Sequence, residues 1–279
     1  MRVSASMFLS VAYAIKTAKS YDVLADMPLG EFLDLIKSLG YHGIEPNIAN
    51  PFEFDVELFR DEVRSRGLRV SAISTGLSYV TYGYSLSSCN DKARRKAIEF
   101  FVKYVELCEE LNCSGVVVGL ARGRGVSGES KVLLKASIRE VVNYTKESKV
   151  PLLIEPLNRY ETRIVCSCAE ALRFVNDLAA EVGRDRIGIL FDTFHAVLEE
   201  RDPYEAYLEV REWVRHIHVA DSNRRAPGEG MIDWLKFLSI VRSCGYQGFV
   251  SVEALPSPTT RHTLEKAART ILGVLRVFS

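Results

Sequence analysis

Apolar, strand-like runs alternate with amphipathic, helix-like runs along the whole of this 279-residue chain. The strand-like runs lie at 3–7, 43–45, 68–74, 114–119, 150–155, 187–192, 216–219 and 248–253. The runs between and after them carry apolar residues at helical spacing, near 29–39, 56–66, 91–111, 131–148, 169–181, 203–213, 233–243 and 263–277. Strands separated by helices pair in parallel, and eight such units predict a (β/α)8 TIM barrel, one α/β domain over residues 1–279. An open doubly wound sheet has the same periodicity and stays open as the alternative. Gly40, Gly67 and Gly245 each follow a helical run, where a left-handed C-cap is expected. Asp91 and Asp233 stand where N-caps belong.

Four of these runs end in, or contain near their end, a polar side chain: Glu155, Asp192, His218 and Glu253. A carboxylate that closes an apolar strand is costly to bury without a partner. Side chains alternate along a strand, so faces can be assigned. In 248–253, Val250 and Val252 point one way and Phe249, Ser251 and Glu253 the other. In the same manner Asp192 shares a face with Gly188 and Leu190, Glu155 with Leu153, and His218 with His216. With helices covering the branched apolar faces, all four polar ends point into the mouth at the C-terminal ends of the strands, where such barrels keep their active sites. Two Glu, one Asp and one His suit one divalent metal ion per chain, Mn²⁺ first, with Co²⁺, Mg²⁺ or catalytic Zn²⁺ as alternatives.

Further candidates flank these ends. His195 lies three residues after Asp192, in FDTFH, and is expected to contact substrate or metal. His216 sits one layer deeper and is expected to pack or to support. The polar loops EPLNRYE (155–161) and DSNRRAPGEG (221–230) offer Glu161 and Arg224 to substrate hydroxyls. In the loop after the fourth strand, Arg122 and Arg124 are placed to clamp a substrate carboxylate or phosphate. Residues 123–128 of that loop match G-x-G-x-x-G between a strand and a helix. The match falls in the fourth of eight units, and Glu155 groups better with the other strand ends than with a ribose, so no dinucleotide site is expected.

Lys+Arg and Asp+Glu both number 36, and no basic stripe is visible, which argues against a nucleic-acid partner. No apolar stretch reaches the length of a membrane span. The N-terminal segment MRVSASMFLSVAYAIKTAKS is expected to be a first strand and its loop, since it lacks the small-residue cleavage site of a leader. The six cysteines contain no C-x-x-C, and a chain of this size does not need disulfides, so a reducing cytoplasm is expected. Cys166 and Cys168 form a C-x-C without a second pair and are expected to be structural or incidental.

The segments IEPLNRYET, FDTFHAVLEE, HIHVADSNRRAPGEG and SVEALP make the chain resemble the sugar isomerase/epimerase group with a xylose-isomerase-like TIM barrel. It looks especially like the ketose 3-epimerases of tagatose and psicose. The segment GLARGRG (119–125) is similar to the 5-keto-L-gluconate epimerases. The resemblance implies that Glu155, Asp192, His218 and Glu253 bind the metal and that Glu155 and Glu253 double as the acid/base pair. It places Glu161, His195 and Arg224 on substrate-contacting positions. It also implies a small sugar or keto-acid sugar as partner, and a dimer or tetramer. One departure is ALPSP after Glu253, where many ketose epimerases have Pro directly after the Glu. The expected chemistry is epimerisation beside a carbonyl through an enediolate, with two carboxylates on opposite faces of the substrate. The rivals are an aldose–ketose isomerase, an AP-endonuclease-like metal hydrolase and a non-catalytic sugar-binding barrel.

Overall fold

The computed structural model describes residues 7–15 and 27–277. Eight parallel strands lie in the order β3-β2-β1-β8-β7-β6-β5-β4. They are β1 (Phe8–Ile15), β2 (Gly43–Ile48), β3 (Arg69–Val70), β4 (Val116–Val118), β5 (Leu152–Ile154), β6 (Ile187–Asp192), β7 (Val214–Val219) and β8 (Phe249–Val252). The two ends of that order meet just beyond β3: Ile73 bridges Val116, its N–H donates to Gly115 O, and its carbonyl accepts from Val117 N. Closure of the sheet rules out the open doubly wound alternative. The helices are α1 (Leu29–Ser38), α2 (Val56–Ser65), α3 (Gly76–Tyr82), α4 (Asp91–Leu111), α5 (Ser130–Tyr144), α6 (Cys168–Val182), α7 (Thr193–Glu199), α8 (Pro203–Val210), α9 (Trp234–Ser243) and α10 (Thr260–Val277).

Strand alternation divides the core as expected. Val116, Val118, Leu152, Ile154, Ile187, Ile189, Ile217, Val250 and Val252 face outward and join the large core with the helices. Ala72, Val117, Leu153 and Leu190 form a separate small cluster inside the barrel. Gly40, Gly67 and Gly245 take positive φ after α1, α2 and α9, the backbone that lets each chain turn into the next strand.

Three expectations need correction. The expected first strand at 3–7 lies, apart from Met7, outside the described residues, and β1 begins at Phe8. Asp91 is the first residue of α4 and Asn90 caps it, its side chain accepting from Ala93 N, whereas Asp233 does cap α9. Cys108 and Cys113 are joined by a disulfide, because Asn112 takes the left-handed conformation at the end of α4 and turns Cys113 back to a Cα–Cα distance of 5.1 Å. Cys89, Cys166, Cys168 and Cys244 are free. Among the described residues no helix is long and apolar enough to cross a membrane.

Candidate metal centre

Each of the four strand-end residues reaches the barrel mouth by its own local device. Asp192 ends β6 and is also the N-cap of α7: its Oδ1 accepts from the N–H groups of Phe194 at 2.7 Å and His195 at 3.4 Å. That cap holds the carboxylate still and leaves Oδ2 facing the mouth, 3.9 Å from His218 Nδ1. It also fixes His195 almost one helical turn on. Glu155 follows β5, its N–H donating to Val118 O, and Gly119 lies against its carboxylate. A Cβ at Gly119 would collide with Glu155 Oε2, so this glycine makes room for the side chain. Glu253 follows β8, its N–H donating to Val219 O, and its Oε2 lies 3.3 Å from His218 Nδ1. His218 pairs in register with Asp192 on one side and Ser251 on the other.

One potential ligand atom from each of Glu155, Asp192, His218 and Glu253 falls within 4.8 Å of the others, and all four residues are buried. Glu155 Oε1 and His218 Nδ1 are buried 3.6 Å apart without hydrogen-bond partners. Unpaired polar atoms in such a place are costly unless something else satisfies them. Three carboxylates and one imidazole fit a borderline-to-hard divalent ion.

The electrostatics are those of carboxylates crowded out of water. Burial pushes Glu155 up, and His218 opposes the shift. Burial and the Glu155 charge push Asp192 up to about 7. Burial would also raise Glu253, but His218 and Arg224 hold it below the usual carboxylate value. Burial, with the charges of Arg224 and Arg122, keeps His195 well below its ordinary value and therefore neutral.

Around the four, the structure brings together most of the other candidates. His195 Nε2 lies 3.8 Å from both Glu155 Oε1 and Asp192 Oδ2. Its Nδ1 is held by the Asn158 side-chain amide at 2.7 Å, which leaves the Nε2 proton for the mouth. Arg224 bridges two acids, with Nη1 on Glu161 Oε1 at 3.2 Å and Nη2 on Glu253 Oε2 at 3.4 Å. It sits at φ 60, a left-handed backbone unusual for arginine. Main-chain bonds hold it there, Arg224 N to Asp221 O at 2.8 Å and Leu255 N to Arg224 O at 2.7 Å.

Arg122 is the exception. It was expected to clamp a substrate anion, but it is fully buried. Its guanidinium donates to the main-chain carbonyls of Gly119, Ile164, Val165 and Glu155. Four of its five N–H donors are occupied by main-chain carbonyls on the loops after β4 and β5, so it ties those loops together. A residue not anticipated is Glu45, on β2, completely buried and bonded to His216 Nε2 at 2.7 Å and His218 Nε2 at 2.9 Å. Its signal was a carboxylate in the apolar run GIEPNI, on the same strand face as Gly43 and Asn47.

The sequence pattern of the xylose isomerase-like TIM barrel family matches residues 33–276. The chain belongs to that family. Relatives of this xylose isomerase-like barrel include the ketose 3-epimerase of Arthrobacter globiformis, 27% identical over 245 residues, covering 86% of this chain and 81% of the relative. Another is the 3-dehydro-D-guloside 4-epimerase of Escherichia coli K12, 26% identical, covering 78% and 84%. A crystal structure of D-allulose 3-epimerase from Methylomonas sp. in complex with D-allulose superposes with a TM-score of 0.80, at 19% identity, over 98% and 97% of the two chains. That likeness is one of fold.

Proposed function

We propose that this xylose isomerase-like barrel is a divalent-cation-dependent sugar epimerase, inverting the carbon beside the carbonyl of a ketose or keto-acid sugar. The observation that carries the proposal is the buried meeting of Glu155 and Glu253 with Asp192 and His218 at one barrel mouth. The names of its relatives, sugar epimerases covering about four-fifths of the chain, point the same way.

Epimerisation removes a carbon-bound proton and returns one to the opposite face. Glu155 and Glu253, just after strands β5 and β8, approach the mouth from separate sides and serve as base and acid, exchanging roles with the direction of reaction. Asp192 and His218 complete the ligand set. A divalent cation held by the four, Mn²⁺ in first place, supplies Lewis-acid stabilisation of negative charge on the substrate oxygens. His195 offers its Nε2 proton to a substrate oxygen, and the Glu161–Arg224 pair orders hydroxyls beside Glu253. Among keto-acid sugars, the 119–125 segment favours 5-keto-L-gluconate-like substrates. Burial of Arg122 removes one expected holder of their carboxylate. Assembly as a dimer or tetramer belongs to the same proposal, and light scattering tests it.

The decisive experiment is a screen of ketoses and keto-acid sugars with Mn²⁺ or Co²⁺ in deuterated buffer. The expected result is an epimeric product with deuterium at the inverted carbon, C3 in a 2-ketose. An aldose product would make the enzyme an isomerase, and ligand binding without deuterium exchange would make it a sugar-binding protein.

A further inference from the structure

We propose that Glu45 is a positioning residue that makes Nδ1 of His218 the cation-binding atom, by holding the opposite ring nitrogen as a donor. This goes one step deeper into the cation site proposed above and rests on it. Glu45 is fully buried on β2, across the barrel interior from β7. Its Oε1 lies 2.9 Å from His218 Nε2 and its Oε2 lies 2.7 Å from His216 Nε2. The Ser74 hydroxyl also donates to Oε1. An ionised carboxylate only accepts, so both Nε2 atoms carry protons. His218 Nδ1 is then the ring atom with a lone pair to give. It is also the atom that lies without a partner, 3.3 Å from Glu253 Oε2 and 3.6 Å from Glu155 Oε1.

His216 completes the device. By occupying the second oxygen of Glu45 it stops the carboxylate from rotating, and its ring stands nearly perpendicular to that of His218, with centroids 5.4 Å apart. Glu45, His216 and His218 have a ligand-like composition of their own. Their facing atoms are already hydrogen-bonded, however, whereas Glu155 Oε1 and His218 Nδ1 are not. The cation therefore belongs on the Nδ1 side of His218 and the carboxylate on the Nε2 side, an arrangement in which the outer acid fixes the tautomer and aim of the ligand.

The test is a calorimetric titration of Co²⁺ into the wild type and Glu45→Gln, with thermal unfolding of both cation-free proteins. Gln keeps the size of Glu but has one acceptor oxygen and one amino group, so it cannot accept from both rings. Co²⁺ affinity is expected to fall by about 10–100-fold. A purely structural residue would lower the unfolding temperature and leave the affinity alone. Should Glu45→Gln not fold, long-range proton–nitrogen correlations on the Zn²⁺-loaded wild type decide the matter: His218 is expected to carry its proton on Nε2 and none on Nδ1. Unchanged Co²⁺ affinity in the variant, or a proton on His218 Nδ1 in the loaded wild type, overturns the role of Glu45 alone. A wild type that binds no Co²⁺ overturns it together with the cation site.

Discussion

The two halves of the barrel contribute to the mouth in different ways. Strands β5 to β8 each deliver one member of the four-residue cluster: Glu155, Asp192, His218 and Glu253. Strands β1 to β4 deliver none of these. They supply the buried Glu45, the hydroxyl of Ser74, the missing side chain of Gly119 and, just beyond β4, the guanidinium of Arg122. Under the proposed function, one half offers the ligand and proton-transfer groups while the other fixes where those groups stand. Substitutions in the second half should therefore cost turnover, and substitutions in the first should cost stability or alignment.

The largest effect is expected at the two glutamates. Glu155→Gln and Glu253→Gln keep the shape of the side chain and remove its proton chemistry. Turnover should fall by about 10²–10⁴-fold, the usual contribution of a positioned acid or base. Deuterium incorporation from solvent is the readout, with circular dichroism as the check on the fold. Recovery of either variant in excess Mn²⁺ would reduce that glutamate to a ligand and blur the division of labour.

Arg122 tests the other half. Arg122→Met removes the shared side-chain donor of the Ile164, Val165 and Glu155 carbonyls, in a site closed to water, while Gly119 O keeps the main-chain N–H of residue 122. Each buried group left unpaired costs about 1–3 kcal/mol, so a total loss of at least about 3 kcal/mol is expected in urea unfolding. Arg122→Lys, with a charge but no planar fork, should recover only part of it. A stable Arg122→Met with altered substrate preference would return this residue to the substrate. A smaller effect is expected from Gly119→Ala, where the new methyl group meets the Glu155 carboxylate. The strain of overpacking is about 1–3 kcal/mol, read as a lower unfolding temperature. Cation affinity should drop with it, because the group displaced is Glu155.

The same division decides what was legible in the sequence. The second half announces itself because a strand-end carboxylate or histidine breaks an apolar run, and face parity then gathers four such breaks at one mouth. One strand there even keeps its expected bounds, β6 at 187–192. The supporting half speaks more softly. Glu45 is a single acid in a short run, and only the closed barrel brings it to two histidines, 171 and 173 residues away in the chain. Arg122 misled because an arginine in a glycine-rich loop looks like a surface clamp. The loop folds inward instead, where main-chain carbonyls on neighbouring connections take up its donors. Strand β3 is paired over only Arg69–Val70, although the apolar run reaches Ser74, because past Val70 the chain keeps only single bridges, Ile73 to Val116 and Ser74 to Asn47. Short helices such as α3 and α7 carry too few residues for a helical period to show.

The smallest effect is expected where the second half is tied together at its surface. Arg159, in the loop after β5, makes a two-pronged ion pair with Glu199 at the end of α7, at 3.0 and 2.9 Å. The pair joins the loop that carries Asn158 and Glu161 to the helix that carries His195. Its geometry is good, but the arginine side chain is 64% exposed. Water and salt screen such a pair, so it contributes little. Arg159→Ala should accordingly lower the unfolding temperature only slightly, and by less in high salt. Any change in KM should stay within about fivefold, with kcat unmoved. His195 is already held by the Asp192 cap on one side and Asn158 on the other, so the surface pair has little left to position. A loss of kcat in Arg159→Ala would show that those two buried contacts do not suffice, and that the half carrying the four-residue cluster also depends on its rim.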